Sequence, residues 1–263
     1  MTTSLGFVCP LFVPGNRPER FEKAAASGSD AIILDLEDAV AASKKDAARE
    51  TLRADFTNLP VIVRINAAGT RWHETDIAAA EHIGAAAIML PKAELDSAIG
   101  CAQVTSLPII GLVETARGLA EARQIAAIPA VVRLAFGSID YSVDLGSAHT
   151  HDAFLSARSE LVLASRLASI VPPLDGVTTA TDDENLIADD ARYAASLGFG
   201  GKLCIHPRQV GPIKSGFLPD EKTIDWARRV LESSDGAVKI GGEMVDDPIR
   251  TRARRILGRL HSR

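Results

Sequence analysis

The stretch that decides the fold is 108–146, PIIGLVETARGLAEARQIAAIPAVVRLAFGSIDYSVDLG. Two short apolar runs, 108–113 and 131–137, each lead to an acid, Glu114 and Asp140. The segment between the runs is rich in Ala, Leu, Glu, Arg and Gln, which are good helix formers. A strand, a helix and a second strand predict a parallel pair with a crossover helix, so both acids leave the same edge of one sheet. Two carboxylates at one edge suit a hard cation such as Mg²⁺.

The same strand–helix pattern repeats along the chain. The predicted strands lie at 6–13, 31–34, 61–66, 86–90, 108–113, 131–137, 174–178 and 201–206. Their apolar runs are continuous rather than alternating, which indicates a parallel sheet covered on its outer face. Eight such units close a (β/α)₈ TIM barrel, a fold of typically ~250 residues. An open doubly wound sheet is the alternative, but no GxGxxG sequence follows any of the strands.

The pattern changes after the eighth predicted strand. We therefore expect a barrel over 1–214 and a C-terminal helical extension over 215–263. The extension exceeds what a barrel needs, so a lid, an oligomerisation arm or a capping layer are all open for it.

Composition narrows the class of protein. The 263 residues carry a net charge of −5, which argues against a nucleic-acid or membrane-surface binder. No apolar run approaches the ~20 residues of a membrane helix. The N-terminal residues show no basic region before the apolar ones, so we expect a cytoplasmic protein. The three cysteines are far apart and are predicted to be buried, inert thiols, with a catalytic or metal-binding cysteine as the alternative.

Polar residues that end the strands are the candidates for chemistry, because barrel active sites lie at the carboxyl ends of the strands. They are Asp35, Glu37, Asp38, Arg64, Asn66, Lys92, Glu114, Asp140 and His206. Several have simpler interpretations. Glu37 and Asp38 suit the start of a helix, and Asn66 can bind its own loop. Lys92 can be a solvated charge, and His206 a structural histidine.

Arg64 stands out because it interrupts an apolar strand. Its fork of donors suits a substrate carboxylate or a developing oxyanion. A structural ion pair with Glu37 or Asp38 is the alternative. For Glu114 and Asp140, metal ligation and helix capping remain equally open from spacing alone.

Eight motifs together carry a resemblance that spans nearly the whole chain. They are LFVPGNRPER (11–20), DLEDAV (35–40), VRIN (63–66), LPK (90–92), LVETA (112–116), FGSIDY (136–141), GGKLCIHP (200–207) and MVDDP (244–248). In this order they resemble the citrate lyase β-subunit-like proteins of the HpcH/HpaI aldolase/citrate lyase family. The resemblance implies a TIM barrel, homo-oligomers such as trimers or hexamers, and Mg²⁺-dependent cleavage of a C–C bond in a β-hydroxyacyl thioester.

The resemblance also implies roles for individual residues. Glu114 and Asp140 would bind Mg²⁺, and Arg64 would bind the substrate. Asp246 matches an acid that can reach a neighbouring subunit's site from the C-terminal lid and act there in catalysis. One departure is that Gly241, Gly242 and Glu243 stand where many members have Asp-Gly-Lys, which puts the fit of the lid to a thioester carrier in doubt.

Further substrate contacts are expected around these residues. Asn66 is a candidate donor to the substrate, and Glu114 can contact it as well as the metal. Arg17 follows the first strand at the active face, where a cation would suit the phosphates of a thioester carrier.

The expected reaction is cleavage of an acyl-CoA of the citramalyl-CoA or malyl-CoA type to acetyl-CoA and a 2-oxo acid. A citryl-ACP lyase subunit of a citrate lyase complex is one alternative. A non-catalytic relative that kept the fold is another, and a pyruvate aldolase that needs no thioester is a third.

Overall fold

The computed structural model describes residues 5–233, 238–240 and 243–261. Its main sheet has eight parallel strands, each paired with the next one in the chain. They are β1 (Pro10–Pro14), β2 (Ala31–Asp35), β3 (Val61–Arg64), β4 (Ala87–Leu90), β5 (Ile109–Val113), β6 (Val131–Phe136), β7 (Val171–Asp175) and β8 (Gly201–Lys202). This is the predicted (β/α)₈ TIM barrel, and the strand order excludes the doubly wound alternative, whose order would reverse.

The barrel closes between its last and first strands. The Phe12 amide donates to the Cys204 carbonyl at 2.8 Å, and the Lys202 amide donates to the Val8 carbonyl at 2.8 Å. These bonds join β8 and the residues after it to β1 and the residues before it. The sheet is thus a nearly closed ring with its carboxyl-end rim at one side.

Helices cover the outside of the ring and form the C-terminal extension. They are α1 (Phe21–Ala25), α2 (Lys45–Glu50), α3 (His73–His82), α4 (Leu95–Val104), α5 (Ala116–Ala120), α6 (Ala122–Ala126), α7 (Ser138–Leu145), α8 (His151–Leu167), α9 (Glu184–Leu197), α10 (Val210–Phe217), α11 (Glu221–Glu232) and α12 (Asp247–His261). Short 3₁₀ turns lie at Pro18–Arg20, Ala42–Lys44 and Pro207–Gln209.

The strands are apolar on both faces because each face packs into a separate core. Ile33, Ile62 and Met89 point into the barrel and are fully buried. Ile32 and Leu34, their neighbours along β2, are buried against the helices instead. This two-sided burial is the reason why the strands appear in the sequence as continuous apolar runs.

The amino end of the barrel is closed by a buried arginine. Arg133 Nη1 donates to the carbonyls of Leu5 and Phe7, each at 2.8 Å, and Nε donates to the Pro172 carbonyl at 2.8 Å. Burial lowers the pKa of Arg133 to about 9. The arginine ties the N-terminal segment across the end of the barrel opposite the carboxyl-end rim.

The expected boundary between barrel and extension, at 214/215, falls inside α10. This helix packs against α9 so closely that a Cβ added to Gly216 would lie 2.5 Å from the Ala191 Cβ. After α11 comes a hairpin of β9 (Val238–Ile240) and β10 (Glu243–Val245). Helices α11 and α12 enclose a small separate apolar cluster around Val230 and Val245. The division into a barrel and a lid stays a prediction.

The helices and the cysteines can be compared with what the composition predicts. None of the helices in the described part of the chain is long and apolar enough to cross a membrane. Cys9, Cys101 and Cys204 are buried free thiols, as predicted.

Candidate active site

A cavity of about 430 Å³ opens at the carboxyl ends of the strands. Five of the residues singled out from the sequence line it: Asp35, Asp38, Arg64, Glu114 and Asp140. They come from different strands, which the closed ring brings to one rim. The strand-end positions in the sequence thus converge in one pocket.

Arg64 is held in a fixed orientation by a buried carboxylate. It ends β3, and its Nε and Nη2 donate to the two Asp35 carboxylate oxygens, each at 2.7 Å. Its Nη1 lies 3.2 Å from Glu37 Oε2 and 3.6 Å from Asp38 Oδ2. The guanidinium also stacks over the Phe12 ring at 4.9 Å. Burial alone would lower the pKa of Arg64, but the adjacent carboxylates, Asp35 foremost, raise it well above its usual value.

The structural ion pair that was the alternative for Arg64 is therefore present, but its principal partner is Asp35 rather than Glu37 or Asp38. Asp35 and Arg64 are register partners on adjacent strands, and the bidentate pair fixes the guanidinium at the pocket wall. Glu37 and Asp38 add weaker contacts. Structural pairing and a role toward substrate are compatible, because the guanidinium still lines the cavity.

Glu37 is a buried carboxyl group between two cations. Burial raises its pKa to about 7, against the opposing effect of Arg64. Lys92 Nζ lies 3.5 Å from Glu37 Oε1, and about half of the Lys92 side chain is exposed. The solvated-charge interpretation of Lys92 is thus only partly right, since the ammonium group faces the buried carboxyl.

Glu114 and Asp140 form the second half of the pocket. Glu114 follows β5 and is 3% exposed, and its Oε1 accepts from the Lys92 amide at 2.7 Å. Burial, then the charges of Glu37 and Asp140, raise the pKa of Glu114 to about 8. Neither Glu114 nor Asp140 forms an ion pair with any residue that the structure describes. Two carboxylates outside any direct ion pair, on which Arg64 and Lys92 act only at longer range, constitute a donor set for a hard divalent ion.

Gly137 is required for this arrangement. It lies between β6 and α7, and a Cβ at this position would fall 2.3 Å from Glu114 Oε2 and 2.5 Å from Glu114 Cβ. Only glycine lets the backbone that carries Asp140 approach the Glu114 carboxylate. Within 5–233, 238–240 and 243–261 no group of three or more His, Cys, Asp or Glu side chains is arranged to hold a metal ion, so this pair would leave further positions of a cation to substrate and water.

Three other expected site residues lie away from the cavity wall. Asn66 is buried behind the pocket, where its Nδ2 donates to the Leu36 carbonyl at 3.0 Å and to Asp76 Oδ2 at 2.6 Å. Arg17 is exposed, with its Nε 2.6 Å from Glu19 Oε1. This geometry favours the loop-binding interpretation of Asn66 over direct substrate contact.

Asp246 also lies outside its own chain's pocket. It is exposed and precedes α12, and its Oδ1 accepts from the Ile249 amide at 3.3 Å. The residues before Asp246 depart from the family pattern at positions 241–243. Of these, Gly241 and Gly242 lie outside the described residues. The role of Asp246 in catalysis stays a prediction.

The residues that hold the loop after β2 do not lie at strand ends and were not predicted from the sequence. Lys45 Nζ donates to the Leu36 and Glu37 carbonyls at 2.8 and 2.7 Å. Asp76 accepts from the Asn66 amide at 2.9 Å and from Arg49 Nε at 2.8 Å. Lys45 lies on α2 and Asp76 on α3, where charged residues are common and carry no distinguishing signal. His206 has the structural role that was weighed for it, since its Nδ1 accepts from the Arg208 amide at 3.2 Å.

Several known proteins are similar to this chain over most of its length. A curated relative, the citrate lyase subunit beta-like protein of Mycobacterium tuberculosis, is 39% identical over 264 residues, covering 95% of this chain and 94% of its own. A (3S)-malyl-CoA thioesterase of Cereibacter sphaeroides is 34% identical over 241 residues, covering 88% of this chain and 84% of its own. The relatives thus include proteins named for different reactions.

A solved structure shares the fold over nearly the full length. The crystal structure of the protein CitE from Mycobacterium tuberculosis in complex with magnesium, acetoacetate and coenzyme A matches with a TM-score of 0.88 and 37% identity, covering 97% of this chain and 98% of that one. The family model described as HpcH/HpaI aldolase/citrate lyase matches residues 9–207. The chain therefore belongs to the HpcH/HpaI aldolase/citrate lyase family.

Proposed function

We propose that the protein is a Mg²⁺-dependent carbon–carbon lyase. Its substrate would be a β-hydroxyacyl-CoA of the citramalyl-CoA or malyl-CoA type, and its products acetyl-CoA and a 2-oxo acid. The observation that carries the proposal is the pair Glu114 and Asp140, which form no direct ion pair with any described residue and face the same cavity as the anchored Arg64. The related CitE protein, crystallised with magnesium, acetoacetate and coenzyme A, supports the choice of ligands.

The residues present fit a magnesium ion. The buried Glu114 carboxyl has its pKa raised by burial and by neighbouring carboxylates, and a cation would remove this electrostatic penalty. Glu114 and Asp140 would hold the ion, and substrate and water would complete its ligands. When bound, Mg²⁺ supplies Lewis-acid chemistry that lowers the pKa of a substrate hydroxyl group.

The chain's own residues provide charge, orientation and a proton. Arg64 is locked by Asp35 and offers a fixed positive charge to the oxygens on which negative charge develops as the C–C bond breaks. The substrate hydroxyl gives its proton to water, and its C–O bond becomes the carbonyl of the 2-oxo acid. The electrons of the breaking C–C bond pass to the thioester, whose enolate then takes a proton at carbon to give acetyl-CoA. Asp246 of a neighbouring subunit would donate this proton. Asn66 is assigned to holding the loop after β2, and Arg17 to the phosphates of the carrier.

The proposed assembly is a homotrimer or hexamer in which a neighbouring subunit completes each site. The exposure of Asp246, away from its own pocket, is compatible with this arrangement. Mixing Arg64→Ala and Asp246→Ala chains tests this directly. Mixed oligomers should regain activity that neither variant has alone, and no recovery after subunit exchange would remove Asp246 from a shared site.

The experiment that tests the function is product analysis with purified protein, citramalyl-CoA and malyl-CoA, in Mg²⁺ and in EDTA. Metal-dependent release of acetyl-CoA by the protein alone is expected. The absence of acetyl-CoA with both substrates, despite bound Mg²⁺, would contradict the proposal and favour a citrate lyase subunit that acts on an acyl carrier protein.

Thioester hydrolysis is the second candidate, because one relative is named (3S)-malyl-CoA thioesterase. The same experiment separates the two reactions by their products. A lyase converts malyl-CoA to acetyl-CoA and glyoxylate, whereas a thioesterase gives malate and free CoA. Free CoA as the first product would mean that the protein is a thioesterase rather than a lyase.

A further inference from the structure

A second, smaller cavity of about 200 Å³ lies beside the active-site pocket. It is lined by the start of α8, by the loop after β7 and by Lys202 of β8, and Val177 belongs to the walls of both cavities. Its volume is below the roughly 300 Å³ at which sites for whole organic ligands begin. The space therefore fits a small ion or one group of a larger molecule.

Buried charges behind this cavity do not balance. Asp175 accepts from Arg158 Nε at 2.8 Å and Nη2 at 3.3 Å, and from Lys202 Nζ at 3.2 Å. All three side chains are at least 95% buried. One carboxylate thus serves two cations, and the cluster keeps one positive charge in excess.

One donor of the cluster is left over. Arg158 Nη1 is buried and has no hydrogen-bond partner among the described residues, while the residue itself lines the cavity. A buried charged donor without an acceptor is costly. Water could accept a hydrogen bond from it, but only an anion would also offset the excess charge.

A helix N-terminus faces the same space. The 17-residue helix α8 begins at His151, and both His151 and its cap Thr150 line the cavity. The Thr150 hydroxyl accepts from the Ala153 amide, and the amides of the first turn before it have no acceptor within the helix. A helix N-terminus favours a phosphate or another oxyanion.

The carboxylate at the rim does not supply the missing charge to Arg158. Asp190 accepts from Thr178 Oγ1 at 2.7 Å and lies 2.8 Å from His151 Nε2. The remaining titratable group is His149, whose Nε2 shares a hydrogen bond with Ser138 Oγ at 3.0 Å. The charged groups that surround the cavity are therefore Arg158, Lys202, Asp175 and Asp190. His149 and His151 are the further titratable groups.

We propose that this cavity is a second ligand site that binds a phosphate group through Arg158 Nη1 and the first turn of α8. A phosphate suits the site because it brings several acceptor oxygens and more than one negative charge. The group could be free inorganic phosphate or part of a larger molecule such as coenzyme A. The site involves neither Glu114 nor Asp140 and does not rest on the proposed reaction.

The test is a calorimetric titration of metal-free protein with inorganic phosphate. Wild-type protein should bind one phosphate per chain, and Arg158→Lys should weaken binding at least tenfold, since lysine can pair with Asp175 but has no spare guanidinium donor. Arg192→Lys, the same substitution at an exposed ion pair on α9, is the matched control and should bind as the wild type does. Equal affinity of Arg158→Lys and wild type, or no saturable binding, would overturn the proposal.

A crystal structure with phosphate decides the matter independently if Arg158→Lys fails to fold. Density for phosphate within hydrogen-bond distance of Arg158 Nη1 is expected, and water alone at that position would contradict the proposal. Competition by coenzyme A would identify the carrier as the source of the group, and undisturbed phosphate binding would identify the free ion. Because these measurements contain neither substrate nor metal, their failure is distinct from failure of the lyase proposal.

Discussion

Two regions of the carboxyl-end rim are built around the same element and differ in net charge. In each, a buried aspartate receives two hydrogen bonds from an arginine, Asp35 from Arg64 and Asp175 from Arg158. The surroundings of the first pair are rich in carboxyl groups: Glu37, Asp38, Glu114 and Asp140. The second pair has an additional cation, Lys202. The comparison teaches that the neighbours of the pair, rather than the pair itself, decide which ion each region can take.

The largest expected effect is on stability, at Asp175. Asp175→Asn leaves Arg158 and Lys202 buried without a counter-charge, which should cost about 3–5 kcal/mol of unfolding free energy. Asp35→Asn should cost less, because Arg64 keeps Glu37 and Asp38 nearby. Urea denaturation of both variants checks this order.

The matched control is Asp189→Asn, which removes an exposed ion-pair partner on α9 and should change stability by less than ~0.5 kcal/mol. A cost at Asp35 equal to or above that at Asp175 would mean that the excess of cations in the second region has no energetic weight. The pKa of Asp175 is also lowered: burial opposes this, but Lys202 and Arg158 outweigh it. Its carboxylate therefore contributes stability that is present above the unfolded pKa of ~3.9 and is lost as the pH falls below it.

The next effect is on turnover. Arg64→Ala should lower kcat at least ~100-fold, because a fixed charge near the developing oxyanion is lost. It should also lower stability, since Asp35 is then left buried without its partner. Steady-state assays on folded protein, judged by circular dichroism, measure the first effect, and near-wild-type kcat would exclude Arg64 from the site.

Glycine at 137 offers a smaller and more local perturbation. Gly137→Ala places a methyl group within 2.3 Å of Glu114 Oε2 and should displace that carboxylate, at a cost of roughly 1–3 kcal/mol in stability. Mg²⁺ affinity should fall with it. Gly100→Ala in α4, where nothing lies within 4 Å, is the control and should leave both quantities unharmed; an equal loss of Mg²⁺ affinity there would remove the steric explanation.

The pH dependence of metal binding is the mildest test. Because the pKa of Glu114 is raised to about 8, a cation must displace a proton from it at lower pH. Mg²⁺ affinity should therefore rise up to about tenfold per unit toward pH 8 and then level off. Calorimetry in buffers of different ionisation enthalpy would detect the released proton, and a flat profile between pH 6 and 8 would contradict the assigned ligand.

Much of the fold could be predicted because the strands are buried on both faces. Most of them appear in the sequence as apolar runs, but the seventh, predicted at 174–178, lies at Val171–Asp175 and contains two prolines. The single crossover helix expected between the fifth and sixth strands is instead two, with a break at Glu121, whose carboxylate accepts from the Leu95 amide at 2.7 Å. That contact depends on a distant segment and leaves no local signal in the sequence.

The same dependence on distant segments explains which parts of the site could not be predicted from the sequence. Arg64 could be selected because a charge interrupts an apolar strand, but its pairing with Asp35 follows from the register of β2 and β3. The cluster of Arg158, Asp175 and Lys202 joins segments far apart in the chain. Long-range register and packing determine such contacts, so strand-end patterns alone could not reveal them.

The most direct test of the central claim is a crossed pair of titrations on the same protein. Mg²⁺ and inorganic phosphate would be titrated separately into wild-type protein, Glu114→Gln and Arg158→Lys. The surplus of carboxylates in the first region and the unpaired Arg158 donor in the second predict that Glu114→Gln loses Mg²⁺ binding and keeps phosphate, whereas Arg158→Lys loses phosphate binding and keeps Mg²⁺. If both variants lose the same ligand, or if neither loses any, the two regions are not the separate cation and anion sites that their charges imply.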